Sequence, residues 1–188
     1  MIRNDVTWQM VLLSLLGFKL VWGLCVLFAN TLLGVVIGLI ALHCYWLNLT
    51  MSSLRLYLLF AAFGFCLDWL LSVLGVFVFP TEAKHFPANT STMPPIWLFV
   101  LWFGFVTTLS SGLKFLSGQY KLCVALGALG GTLSYYSAVK LEAVTFGIPT
   151  SLASLIIALL WALIMPAFVW LNDNQTQTTM TTLEDRKC

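Results

Sequence analysis

Two charged residues stand inside long apolar runs, Lys19 within Thr7–Phe28 and Asp68 within Leu54–Phe79. A charge at the centre of a membrane helix costs about 2.5–3.5 kcal/mol on insertion scales, so such groups face a bundle interior or a cavity. Lys19 lies 12 residues beyond Thr7 and Asp68 14 beyond Leu54, depths of roughly 18 and 21 Å at helical rise. Opposite charges at nearly one level predict a Lys19–Asp68 ion pair near the midplane. Such a pair serves either as a structural clasp between the first and third runs or as a proton or ligand site. The alternatives are separate partners, or a protonated Asp68 that leaves Lys19 to snorkel or to bond carbonyl groups.

A second polar set is His43, Thr107 and Thr108 on one side, with Ser134 and Tyr135 toward the other. His43 is either a hydrogen-bonded core histidine or a base. Counted inward from Leu47 and Leu116, His43 lies roughly 6 Å deep and the threonines roughly 12–14 Å, a loose match for convergent acid/base groups. Tyr135 and Tyr136, followed by Lys140 and Glu142, fit interface anchors or the mouth of a site. No H-x-x-x-H, H-E-x-x-H or G-x-S-x-G occurs, so no recognised metal or hydrolase motif is present. The five cysteines, Cys25, Cys44, Cys66, Cys123 and Cys188, have neither C-x-x-C nor finger spacing and imply no disulfide framework or zinc site. No metal and no cofactor is expected.

The elements that must position these groups follow from composition. Of 188 residues, 60% are hydrophobic and 9% charged, against about a quarter charged in soluble domains. With mean hydropathy of +0.96, too little polar surface remains to coat a water-soluble globule, so an integral membrane protein is expected. The net charge of +2 includes no basic block, which argues against nucleic-acid binding. Six runs approach the roughly 20 residues that a bilayer core requires: Thr7–Phe28, Asn30–Leu47, Leu54–Phe79, Pro95–Leu116, Lys121–Val139 and Ser151–Leu171. The first exceeds a signal core, contains Lys19 and lacks an A-x-A site, so it reads as a retained span. The expected fold is all-α: a polytopic transmembrane bundle of six helices over residues 1–171, with a disordered cytoplasmic tail over 172–188. The Pro80–Pro94 connection is expected as a surface flap.

Arg3, Arg55, Lys114, Lys121, Arg186 and Lys187 fall on one side, against Lys84 and Lys140 on the other. The positive-inside rule then puts both termini in the cytoplasm. Trp8, Trp46 and Trp170 fall near that interface and Trp97 near the outer one. The Phe-Gly-Phe echo at residues 63–65 and 103–105 is too short to establish an inverted repeat.

Small residues recur at helical steps in several runs. Ala61, Gly64, Asp68, Ser72 and Gly75 form one stripe, and Gly104, Thr107, Thr108 and Ser111 another. Gly127, Gly131, Ser134 and Ala138 form a third, and Ser151, Ser154, Ala158 and Ala162 a fourth, with Pro166 expected to kink the last run. Membrane helices associate through small residues that permit close approach, so Gly64, Gly75, Gly127 and Gly131 are expected at helix contacts. The stripes either pack or line a cavity.

Several segments together resemble an inner-membrane family of bacteria, number 2878 in the domain-of-unknown-function series. The matching pieces are Leu67-Asp68, then Pro95-x-Trp97-Leu98-x-x-Leu101-Trp102, Thr107-Thr108-Leu109, and the glycine-rich run from Gly127 to Tyr136. The resemblance spans about Leu12 to Leu171. Two departures are Thr132, where the family pattern suggests Pro, and Glu142, where it suggests a small residue. The resemblance implies a bacterial inner membrane and a lipid-linked role, without an assigned activity.

Three functions remain open on the sequence. One is an accessory or structural protein in a membrane or lipid-related process. Another is a small transporter or lipid translocator with a midplane Lys/Asp site. The third is a membrane-embedded lipid-modifying enzyme centred on His43, Thr107 and Thr108, for which no catalytic motif is recognised. The partners expected are the lipid bilayer and either a membrane-protein partner or a second copy of the chain.

Overall fold

The computed structural model describes residues 7–80 and 93–185. These hold six helices: α1 (Trp8–Phe28), α2 (Leu33–Trp46), α3 (Met51–Val73), α4 (Ile96–Thr107), α5 (Tyr120–Lys140) and α6 (Thr150–Asp185). Four of them, α1, α3, α5 and α6, are long and apolar enough to cross a membrane, while α2 and α4 are shorter. The flap expected between α3 and α4 falls on residues 81–92, outside the described residues.

Local chemistry sets the helix ends. The Thr7 and Thr50 hydroxyls accept from the amides of Met10 and Ser53, at 3.4 and 3.2 Å, and start α1 and α3. The expected third run extended to Phe79, but α3 stops at Val73. Gly75 takes φ 73° there; its amide bonds to Ser72 O at 3.0 Å and that of Val76 to Leu71 O at 2.8 Å. This double bond with a left-handed residue is the Schellman ending. Val76–Phe79 continue the apolar run without continuing the helix. Phe77–Val78 form β1, paired antiparallel with β2 (Thr145–Phe146). Asn48 and Glu142 end α2 and α5 in the same way, with φ of 49° and 60°. Glu142 therefore occupies a backbone position where a side chain is strained.

The fourth run divides into α4 and two short 3-10 turns, Thr108–Ser110 and Lys114–Leu116. Pro166 lies inside α6, which continues without interruption to Asp185. The backbone at 172–185 is thus helical, where the sequence suggested a disordered tail.

α5 packs along α6 and α3 along α4, and α4 also touches α1 and α2. At the centre the indoles of Trp102 and Trp161 stack, with centroids 5.1 Å apart and planes 7° from parallel. Gly64 of α3 backs Trp102, and Gly131 of α5 backs Trp161; a Cβ on either glycine would collide with the ring. Gly127 likewise admits the Trp161 carbonyl and the Met165 side chain. Glycine on one helix and indole on the next interlock, so small residues are not needed on both. Accordingly α6 buries Ala153, Ile157, Ile164, Met165 and Phe168, rather than the expected stripe of Ser151, Ser154, Ala158 and Ala162. Gly75 corrects another expectation: open space surrounds its Cβ position, and it serves the turn, not a helix contact.

Candidate functional site

Asp68 lies on the buried stripe of α3, only 2% exposed. Its Oδ2 accepts from Trp102 Nε1 at 2.7 Å. The Tyr135 hydroxyl donates at 2.6 Å to Oδ1 and 2.8 Å to Oδ2. One carboxylate thus joins α3, α4 and α5 within the bundle. Phe77 of β1 closes this end, stacked on Tyr135 at 4.9 Å and 8°.

The expected Lys19–Asp68 pair is not formed. Asp68 lies five residues before the end of α3, whereas Lys19 is midway along α1. Because α3 begins at Met51 and not at Leu54, Asp68 lies 17 residues in, against 11 for Lys19 in α1, a difference in depth of about 9 Å at helical rise. Lys19 is exposed on α1, with Nζ 5.8 Å from the centroid of the Trp22 ring. Among the described residues it has no carboxylate partner.

Lys19 nevertheless borders a cavity of about 240 Å³ between α1, α4, α5 and α6. Trp22, Phe105, Gly130, Ser134 and Tyr135 are among its lining residues. Asp68 is not; it stands behind the wall, shielded by Trp102 and Tyr135. The groove therefore offers an apolar lining, several aromatic rings and one ammonium.

A second cavity, of about 440 Å³, lies between α1, α2 and α4. His43, Thr107 and Thr108 all border it, so the structure brings together three residues that the sequence matched only loosely in depth. The threonine hydroxyls donate to the carbonyls of Gly104 and Phe105, at 2.7 and 2.6 Å, and are occupied by their own helix. The imidazole instead faces Ser14 of α1 and Ser111, whose hydroxyls are 2.7 Å apart. Ser134 and Tyr135 belong to the other cavity.

Sequence reasoning missed Trp102 as the indole donor to Asp68 and Ser14 as a neighbour of His43. Trp102 stood out in the segment that carries the family resemblance, but nothing in the sequence paired it with Asp68. Ser14 stood alone in an apolar run, with no polar companion at helical spacing. Among the described residues no group of three His, Cys, Asp or Glu side chains is placed to hold a metal.

A family model described as "Protein of unknown function (DUF2878)" matches residues 11–167. No curated protein and no solved structure matches the chain. The family match takes in Lys19, His43, Asp68, Trp102 and Tyr135, and the lining residues of both cavities lie within it; the chain belongs to the DUF2878 family.

Proposed function

We propose that this chain is a multi-pass protein of a bacterial inner membrane, with both termini cytoplasmic, that acts as an accessory lipid-binding protein. The membrane reading is supported by the outer surface. Leu12, Leu16 and Leu20 of α1, Leu129 and Leu133 of α5, and Leu155, Leu159 and Leu163 of α6 are all exposed. Such a surface is stable against acyl chains and unstable against water.

The occupant proposed for the groove beside α1 and α5 is an amphiphile with an anionic head and an apolar chain. One observation carries this reading: the Lys19 ammonium, midway along an apolar helix, borders the groove without a carboxylate partner among the described residues. An aromatic cavity also suggests a cation, which binds ring faces. Here Trp102 lies between Gly64 and Trp161, and Trp161 between Trp102 and Gly131. The faces of these two rings are taken, and Lys19 itself lies over the Trp22 ring, so these three rings have their cation or their stacking partner already. The ammonium favours an anion. A translocator working through a Lys19/Asp68 couple is disfavoured, because Asp68 is held by Trp102 and Tyr135 behind the groove wall.

The test is thermal unfolding of the purified protein in an uncharged detergent, titrated with palmitate. A ligand present at a hundredfold its Kd stabilises by about 2.7 kcal/mol. Palmitate is expected to raise the Tm, and Lys19→Gln to remove most of the rise. Hexadecanol, with the same chain and no charge, is expected to do little. Equal stabilisation by acid and alcohol, in parent and variant alike, would overturn the reading.

A further inference from the structure

Ser14, His43 and Ser111 come from three separate segments and meet in a largely apolar setting. Ser14 and Ser111 are each 2% exposed, and their hydroxyls share one short bond of 2.7 Å. His43 Nε2 stands 3.5 Å from both oxygens, beyond the 2.7–3.2 Å of an ordinary hydrogen bond. Two hydroxyl protons are present, and the serine–serine bond uses one. If Nε2 is bare, the other hydroxyl proton has only that distant nitrogen. If Nε2 carries hydrogen, the N–H itself points toward oxygens at 3.5 Å. Either tautomer leaves donor capacity weakly used, and a buried donor without a good partner is costly. The trio therefore calls for an added acceptor.

Space for one adjoins it. Ser14 and His43 border the cavity of about 440 Å³, whose other walls include Val21, Leu39 and Ile40. No charged side chain lines this cavity, in contrast with the Lys19 groove. Ser14 lies about 9 Å along α1 and His43 about 4.5 Å from the end of α2. Trp8 and Trp46 are exposed at that same end, the position of interfacial aromatics. In a membrane this depth lies just below the headgroups, where the ester carbonyls of glycerolipids sit.

We infer that this cavity holds one acyl chain of a membrane glycerolipid, with the ester carbonyl accepting a hydrogen bond from Ser14 or His43, which border it, and Ser111 behind them holding the Ser14 hydroxyl. The site rests on the membrane placement proposed above and is independent of the Lys19 groove.

The experiment uses the full chain reconstituted into vesicles of phosphatidylethanolamine and phosphatidylglycerol. The vesicles carry a trace of phosphatidylcholine with a diazirine in one chain, in either a diester or a diether form. After illumination, labelled peptides are mapped by mass spectrometry. The diester is expected to label the buried lining residues Val21 and Ile40 about fivefold more than the diether, the worth of roughly one hydrogen bond. Ser14→Ala and His43→Leu are expected to reduce the diester signal to the diether level. Equal labelling of the buried lining by the two lipids overturns the proposal, and needs no variant that must fold. Labelling confined to outward residues such as Leu129 and Leu163 also overturns it. Absence of label even there refutes the membrane placement, so the two failures are distinct.

Discussion

A carboxylate removed from water keeps its place only where donors replace the solvent, and Asp68 has Trp102 and Tyr135 for this purpose. Hydrogen bonds to charged groups contribute about 1.5–3 kcal/mol, whereas interhelical polar pairs in membranes average nearer 0.6. Tyr135→Phe is accordingly expected to cost about 1–3 kcal/mol in detergent unfolding. Combined with Asp68→Asn, it should lose less than the sum of the two single changes, since the residues share one bond. Lys19→Met and Asp68→Asn should instead add, within about 0.5 kcal/mol, as separated sites do. A strong Lys19–Asp68 coupling with no Tyr135–Asp68 coupling would reverse the assignment. Both charged residues were legible from sequence, because a charge within an apolar run stands out. Tyr135 was legible as a polar residue of a candidate site, but its bond to Asp68, like that of Trp102, was not, because spacing along one helix says nothing of which helix stands opposite.

At the scale of the helix, the interlocking of glycine and indole makes a sharp comparison within α5. Gly130 and Gly131 are adjacent, yet a Cβ at Gly130 meets nothing within 4 Å while one at Gly131 meets the Trp161 ring. Gly131→Ala forces the Trp102–Trp161 stack to shift and is expected to destabilise by about 1–3 kcal/mol. Gly130→Ala gains helix propensity and is expected to stabilise by up to about 1 kcal/mol. Unfolding midpoints moving in the same direction would deny the interlock. The small-residue periodicity located Gly64, Gly127 and Gly131 at contacts because spacing fixes the face of a helix. It misplaced the α6 face, since a glycine notch is filled by bulk and not by another small residue. The apolar run, for its part, overran α3, because Val76–Phe79 are as apolar in a strand as in a helix and only the left-handed Gly75 separates the two.

For the molecule as a whole, α1 stands between two cavities of different character. The one beside α5 has Lys19 and aromatic rings; the one beside α2 has only neutral polar groups. Their chemistry has meaning only if the bundle sits across a bilayer in a definite sense, and the charges at its ends supply one. Arg55, near the start of α3, and Lys121, near the start of α5, mark one end with Lys114, while Lys140 marks the end closed by the β1–β2 pair. The first end should face the cytoplasm. In a cysteine-free background, Lys140→Cys is expected to react with a membrane-impermeant maleimide added to cells with a permeabilised outer membrane. Lys121→Cys should react only after the inner membrane is broken. The opposite pattern would invert the protein and place the Ser14–His43–Ser111 cavity in the outer leaflet, so this labelling also decides which leaflet's lipids can reach it.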